Sequence, residues 1–361
     1  MNIFYDFQIF LKQKFGGPSR YFIELSKKIS NTNVKINLYS PIYINRYLRN
    51  IKLNHLNLFF YKKFIFNNFF SNINKSLTCL HLKINKYSII HPTYYDIEYL
   101  KDYKFKKVIT VHDLIHEKIY SKKKISEFRD GKDYAIRNSD FFICVSKNTQ
   151  ADLINFYNVK EDKTKVIYSG TSNLNKIFDY KIKEKPFILF VGNRHGYKNF
   201  NILAKAFSLS EELKKNFLLC CFGGGRFTRQ EKIFFSQIGL DQHNIQYLGD
   251  NDDFLVSIYE QASCLVYSSL QEGFGLTILE AMKYHCPVIC SNIPPLREAG
   301  GPAVEYFDPT NHESLLVSIK KVLYNKIHRN NLINLSLQRV KLFSWEKCAK
   351  ETLGVYNNIL L

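Results

Sequence analysis

Glu272 and Glu280 stand eight positions apart in residues 271–292, QEGFGLTILEAMKYHCPVICSN, where a short apolar strand (264–267) enters a glycine loop and then a helix. Eight helical positions are slightly more than two turns, about 12 Å along the axis, so the two carboxylates share a face and suit two contacts on one extended ligand. That separation is too long for the paired acids of a glycosidase, which sit roughly 5 to 9 Å apart. Gly273 and Gly275 allow close backbone approach to a ligand, and the amides and dipole of a helix start favour an anion such as a diphosphate. The competing reading of Glu280 is a solvated helix residue, and its neighbours Leu279, Ala281 and Met282 weigh against that.

A cationic counterpart lies in residues 190–200, FVGNRHGYKNF, where an apolar strand enters a glycine turn and Arg194 and Lys198 precede a helix. Cations at the carboxyl end of a parallel strand suit phosphate binding, and open α/β sheets bind ligands at that edge; against this, surface cations are common. In VITVHDLIH (108–116), His112 and Asp113 end another apolar strand. A histidine there can hydrogen-bond a sugar hydroxyl or manage a proton, where a lone histidine is otherwise a satisfied core residue. FGGPSRY (15–21) is the first strand–helix connection, and Gly16 and Gly17 either bring backbone amides to a phosphate or sugar or make a plain tight turn. The triple glycine at 223–225 lacks the dinucleotide spacing and its acidic ribose ligand, which discounts NAD. Asp250, Asp252 and Asp253 suggest a metal less readily than helix capping by Asn251 and Asp252. The absence of GxxxxGK[ST] and GxSxG weakens NTPase and hydrolase readings.

The elements that must hold these residues alternate strand and helix, which predicts parallel sheets covered on both faces, an α/β class. Strands are expected over 3–7, 34–39, 88–91, 108–112, 141–145 and 166–168, with helices such as 19–30, capped by Ser19, and 126–138. The lysine-rich stretch 172–185 lacks apolar periodicity and predicts the boundary between domains 1–182 and 183–361. Strands then recur at 187–191, 217–222, 245–248, 264–267 and 288–290, and residues 344–361 read as an amphipathic helix. Residues 58–73, LFFYKKFIFNNFFSNI, read as an ordinary domain helix, the alternative being an interfacial one, aromatic on one face and basic on the other.

Composition narrows the rest. Among 361 residues, Lys and Arg exceed Asp and Glu by 19, and residues 1–180 carry 30 basic against 15 acidic side chains. Anionic lipid, a phosphorylated acceptor or nucleic acid would account for such a field; so would compositional drift in a chain rich in Lys, Asn, Ile, Phe and Tyr. The eight cysteines include no CxxC pair, and Cys144, Cys220, Cys221, Cys264 and Cys290 lie in or beside apolar runs as core residues. The N-terminus reads as a strand rather than a leader, and no window has the roughly 18 apolar residues of a membrane span. A cytoplasmic protein, able to touch the inner face of the membrane, is expected.

Taken together, GGPSRYFIEL, HPTYYD (91–96), VHDLIHE (111–117), FVGNRHGYKNF, EGFGLTILEAM, PVICSN, YFDP (306–309) and FSWEKCA resemble the family 4 retaining glycosyltransferases, nearest the bacterial surface-polysaccharide and O-antigen branch. The resemblance covers most of the chain. It implies the GT-B fold: two Rossmann-like domains facing across a deep cleft, an N-terminal acceptor domain and a C-terminal donor domain, with a C-terminal helix that can cross back to the first. It implies that Arg194 and Lys198 neutralise the donor diphosphate and that Glu280 holds the ribose. Glu272, with the amides of Phe274, Gly275 and Leu276, would hold the donor sugar and phosphate. His112 would contact the sugar near the reacting carbon, and Gly16 and Gly17 would approach the diphosphate. The donor would be a GDP- or UDP-hexose and the acceptor a lipid-linked saccharide, with anomeric configuration retained, no metal or other cofactor, no nucleic acid, and a monomeric enzyme. Thr277, Tyr284-His285 and Arg297 depart from the family pattern without removing a charged site residue, so donor preference is what they put in question. A sugar-nucleotide epimerase or hydrolase on the same fold would consume donor without an acceptor, which separates the two readings.

Overall fold

The computed structural model describes residues 1–50, 59–60, 67–119, 131–171 and 185–361. The expected linker (172–185) and the start of the expected 126–138 helix lie largely outside the described residues. So do residues 58 and 61–66 of the aromatic segment.

The chain forms two compact units, Met1–Gly170 with Ser344–Leu361, and Thr171–Phe343. In the first, a parallel sheet is built from β1 (Asn2–Tyr5), β2 (Lys35–Leu38), β5 (Ile89–Ile90), β6 (Lys106–Val111), β7 (Phe141–Cys144) and β8 (Thr164–Val166). Its strand order is β2-β1-β5-β6-β7-β8. A separate parallel pair joins β3 (Ile42–Tyr43) to β4 (Phe59–Phe60). In the second unit, β9 (Phe187–Val191), β10 (Leu218–Phe222), β11 (Ile245–Gly249), β12 (Cys264–Tyr267), β13 (Val288–Ser291) and β14 (Glu305–Phe307) order as β11-β10-β9-β12-β13-β14. Counted within that unit this is 3-2-1-4-5-6, the Rossmann order. The central strands FILFV, LLCCF and CLVY are buried along nearly their whole length. That is why they read as unbroken apolar runs rather than alternating ones. Cys144, Cys220, Cys221, Cys264 and Cys290 are all core residues.

Strand order reverses between β1 and β5 in the first sheet and between β9 and β12 in the second. Loops leaving the carboxyl ends of strands at such a reversal splay apart and open a crevice, where doubly wound folds bind ligands. The candidate residues of the second unit lie in the loops after β9 and β12 and in the Leu276–Lys283 helix that the second loop enters.

Three local expectations change. The first long helix is Gly17–Ile29, with Gly16 at its N-cap and Pro18 in its first turn. Proline fits there because that turn needs no N–H. Ser19 is therefore inside the helix, its hydroxyl donating back to the Gly16 carbonyl at 3.0 Å, rather than the cap. The aromatic segment is not one helix: Phe59–Phe60 is a strand, and the helix that follows is Asn67–Ile84. Finally, the units break after Gly170 and again after Phe343, and the expected boundary at 182/183 falls in residues outside the description.

The closing helix, Trp345–Leu360, completes the first unit. Trp345, Cys348 and Tyr356 enter its core. The Tyr356 hydroxyl lies 2.9 Å from that of Tyr5 and 2.6 Å from His91 Nδ1, and His91 Nε2 lies 2.9 Å from Thr110 Oγ1. Gly170 packs so closely on this helix start that a Cβ there would collide with the Trp345 backbone. Beside it, the Thr171 N–H donates to the Phe343 carbonyl at 3.1 Å. Among the described residues no helix is long and apolar enough to cross a membrane.

Candidate functional site

The loop after β9 turns at Gly192, whose φ of +123° is a backbone state side chains resist. It then forms a single 3-10 turn, Gly196–Lys198. Asn199 follows in the left-handed region and ties its amide to the Pro309 carbonyl at 2.9 Å, starting the Phe200–Ser208 helix. The loop after β12 is fastened to this one by backbone and hydroxyl contacts. Ser268 Oγ lies 3.0 and 3.1 Å from the carbonyls of Lys198 and Asn199, and Leu270 N–H donates to the Tyr197 carbonyl at 2.7 Å. Two loops 70 residues apart thus form one wall, and the contact between their charged groups follows.

Lys198 Nζ donates to Glu272 Oε1 at 2.6 Å and to the Tyr267 hydroxyl at 2.9 Å. The lysine side chain is 17% exposed and the glutamate 10%, so the pair is shielded yet open on one side. Burial alone would lower the ammonium pKa; the adjacent carboxylate overrides it and holds Lys198 above its ordinary value.

Gly275, at φ +117°, caps the Leu276–Lys283 helix and, being glycine, offers no side chain of its own to that helix start. A Cβ there would meet Leu296 at 3.0 Å, so the tight turn needs glycine for space as well as for conformation. Phe274 is buried edge-on against Phe343, its ring 5.5 Å away, which fixes the backbone entering the helix. Glu280 is 6% exposed inside the helix, with the Tyr259 hydroxyl 3.5 Å from its carboxylate. It is not a solvated helix residue.

Arg194 is placed differently from Lys198. Its side chain is 1% exposed. Nε donates to Glu231 at 2.6 Å, Nη1 to the Gly223 carbonyl at 3.0 Å, and Nη2 to the Gly225 carbonyl at 2.9 Å. The rings of Phe227 and Tyr247 stack on the guanidinium at 4.8 and 5.9 Å. Glu231 is held twice, because it also closes a capping box with Thr228 at the start of the Arg229–Gln237 helix. Burial would raise its pKa, but the bonds from Arg194 and Thr228 dominate and lower it. Arg194 therefore anchors the glycine loop 223–225. Beyond that loop lies an open depression of about 550 Å³ between Arg226, Phe227, Lys232 and the end of β11 at Tyr247, Leu248 and Gly249. Glu231, Tyr259 and Tyr267 escaped the sequence reading. Only the T-x-x-E of Thr228–Glu231 carried a local signal.

In the first unit, His112 follows β6, its ring edge-on to Tyr21 at 5.2 Å, and its Nε2 is enclosed with no hydrogen-bond partner among the described residues. Burial, reinforced by Lys132, pushes its pKa down to about 3; burial and His112 do the same to His91. Both imidazoles are neutral in the folded protein, so His112 offers a hydrogen bond rather than a proton at neutral pH. The unfolded chain protonates both near pH 6.5 while the folded one does not. Their stabilising effect is therefore complete above pH 6.5 and is lost as pH falls from there towards 3. We expect each to steepen the loss by about 1.4 kcal/mol per pH unit across that window. Urea titrations at pH 7, 6 and 5 should show a shallower decline in His91→Asn/His112→Asn than in the parent, and parallel declines would contradict the burial of these rings. Gly16 and Gly17 open the Gly17–Ile29 helix, but a short helix, Gln8–Lys12, already follows β1, so residues 15–21 join two helices and are not the first strand–helix connection expected of them.

Residues 15–172 match the family model described as Glycosyltransferase Family 4, and residues 172–339 match that of Glycosyl transferases group 1. An uncharacterized glycosyltransferase of Methanocaldococcus jannaschii is 30% identical over 231 residues, 59% of each chain. The O-antigen chain mannosyltransferase B of Escherichia coli is 28% identical over 249 residues, 66% of this chain and 64% of that one. The chain thus spans about three fifths of the length of these relatives. Among solved structures, Anabaena HepE in complex with UDP-glucose superposes with a TM-score of 0.76 over 98% of this chain and 99% of that one, at 14% identity.

Proposed function

The chain belongs to the family 4 glycosyltransferases, of the GT-B class with two Rossmann-like units, and from that premise we propose that it transfers a hexosyl group from a nucleoside-diphosphate sugar to a saccharide acceptor, retaining anomeric configuration. The observation that carries this is the Lys198–Glu272 contact at the β9/β12 reversal, beside a helix start capped by glycine. Breaking a glycosyl–phosphate bond builds negative charge on the leaving diphosphate and positive charge on the sugar ring. A charged ammonium and the amides from Phe274 to Leu276, fixed before the donor arrives, oppose the first without reorganisation cost. Glu272 orients that ammonium and is placed to accept a sugar hydroxyl. Glu280, two helical turns further on, is assigned to the ribose. His112, neutral, is assigned a hydrogen bond to the donor sugar.

The likeness to an Escherichia coli O-antigen chain mannosyltransferase, together with the HepE complex, supports a GDP- or UDP-hexose donor and an acceptor from surface-polysaccharide or O-antigen synthesis, lipid-linked and reached at the cytoplasmic membrane face. A thermal-shift screen over UDP- and GDP-hexoses tests the reading. A ligand at 100 times its Kd adds about 2.7 kcal/mol, so one donor at millimolar concentration should raise Tm by several degrees. No shift with any nucleotide sugar would sink the proposal. With the donor in hand, the anomeric proton of the product, read by NMR, decides retention.

A further inference from the structure

Lys198 is held by more than its carboxylate. Tyr267, the last residue of β12, is buried, and its hydroxyl accepts from Lys198 Nζ at 2.9 Å while Glu272 Oε1 accepts from the same nitrogen at 2.6 Å. A phenol has a proton of its own, so it can accept from the ammonium and donate to a carboxylate at once, which a second carboxylate could not do. Glu272 is its hydrogen-bond partner on that side. Burial first, and then the Glu272 charge, hold the Tyr267 pKa above its ordinary value, so the bridging proton stays in place. Ammonium, phenol and carboxylate close a ring of hydrogen bonds. The aromatic faces of Tyr267 and Tyr197 flank the ammonium at 4.9 and 5.4 Å, and Ser268 Oγ, one residue on from the phenol, grips the Lys198 carbonyl at 3.0 Å.

An ammonium has three N–H groups. Two are directed at Glu272 and Tyr267, and among the described residues no side chain takes the third. With Glu272 alone, the ammonium would pivot about a single bond and its third N–H would sweep a cone; a second fixed acceptor removes that freedom. We propose that Tyr267 is a positioning residue: its hydroxyl, shared between Lys198 and Glu272, fixes the direction in which the remaining ammonium N–H meets the donor diphosphate. Tyr267 acts through Lys198 and not on the substrate. What the ammonium faces rests on the transferase reading; the ring of bonds that aims it does not.

Tyr267→Phe keeps the ring and removes only the hydroxyl, so the strand stays packed. In the full chain, with whichever nucleotide sugar the parent turns over, kcat should fall roughly tenfold and donor KM stay within about twofold, as for a group that matters chiefly in the transition state. In a Lys198→Ala background the same change should lower kcat by less than about twofold more, because no ammonium is left to aim. Equal losses in both backgrounds, or a rise in KM alone, overturns the assignment. A second readout needs no turnover. Brief treatment of the native protein with acetic anhydride, followed by peptide mass mapping, measures how readily each lysine is acetylated. Relative to the lysines of the first unit, Lys198 should react faster by about threefold or more in Tyr267→Phe than in the parent, since a firmly bonded ammonium is a poor nucleophile. An unchanged rate overturns the hold of the hydroxyl on Lys198. If the labelling responds but the parent turns over no nucleotide sugar, the transferase reading fails while that hold stands.

Discussion

Lys198→Ala should lower turnover by roughly 100- to 1,000-fold, the usual loss when one preorganised group facing developing negative charge is removed. Its ammonium is bonded to Glu272 at 2.6 Å and to Tyr267 at 2.9 Å, so it is already positioned before any ligand enters. The substitution also leaves Glu272 shielded and unpaired, and breaking one partner of a buried pair costs about 3 to 5 kcal/mol, less here because the pair is partly open. The two effects separate in the double variant. Lys198→Ala/Glu272→Gln should recover most of the melting temperature and none of the rate. A loss concentrated in kcat, with donor KM within a few-fold, marks an interaction made chiefly in the transition state. Lys198→Ala with full activity would falsify the site. So would a double variant that regains turnover along with stability.

Arg194→Ala should destabilise the second unit by about 3 to 5 kcal/mol, a large fraction of the stability of an ordinary domain. The deletion strands the Glu231 carboxylate and leaves the Gly223 and Gly225 carbonyls without their donor. Lysine should rescue little, because a point charge cannot reproduce a planar fork that reaches a carboxylate on one side and two carbonyls on the other. Urea unfolding of the Ala and Lys variants measures this. A loss below 1 kcal/mol in both would show that the guanidinium does not hold the glycine loop. In the folded fraction, the predicted signature is a raised donor KM, since the loop borders the open depression at the end of β11. An arginine that bound the diphosphate directly would instead depress kcat like Lys198.

These two cations illustrate what a sequence can disclose about a site. Both stand in one eleven-residue motif, and both were expected at the strand edge, where they are. Lys198 and Glu272 could be brought together from pattern alone because each follows a strand whose place in the Rossmann order is fixed. What Arg194 bonds to was not legible. Its partner Glu231 is 37 residues away in a helix whose only local mark is a capping box. Gly275 and Glu280 were legible for a simpler reason: a helix start and a two-turn spacing are local facts. The pairing of Tyr356 with His91 spans 265 residues, and no propensity or period encodes a bond of that range. The helix start at Gly16 was misplaced by three residues because serine is the commoner cap, yet Pro18 already favours a first-turn position. A two-residue strand such as Phe59–Phe60 is too short for alternation to register at all.

The closing helix has a consequence for how the molecule is made. A chain emerging from the ribosome delivers residues 1–170 first, but the Trp345, Cys348 and Tyr356 side chains that fill their core arrive only after the whole second unit. During synthesis the leading half must wait with an apolar groove open to its surroundings, while the trailing half has every strand it needs and can consolidate before release. The order of maturation is thus the reverse of the order of translation. A stop codon ahead of Trp345 would injure the half of the protein translated first.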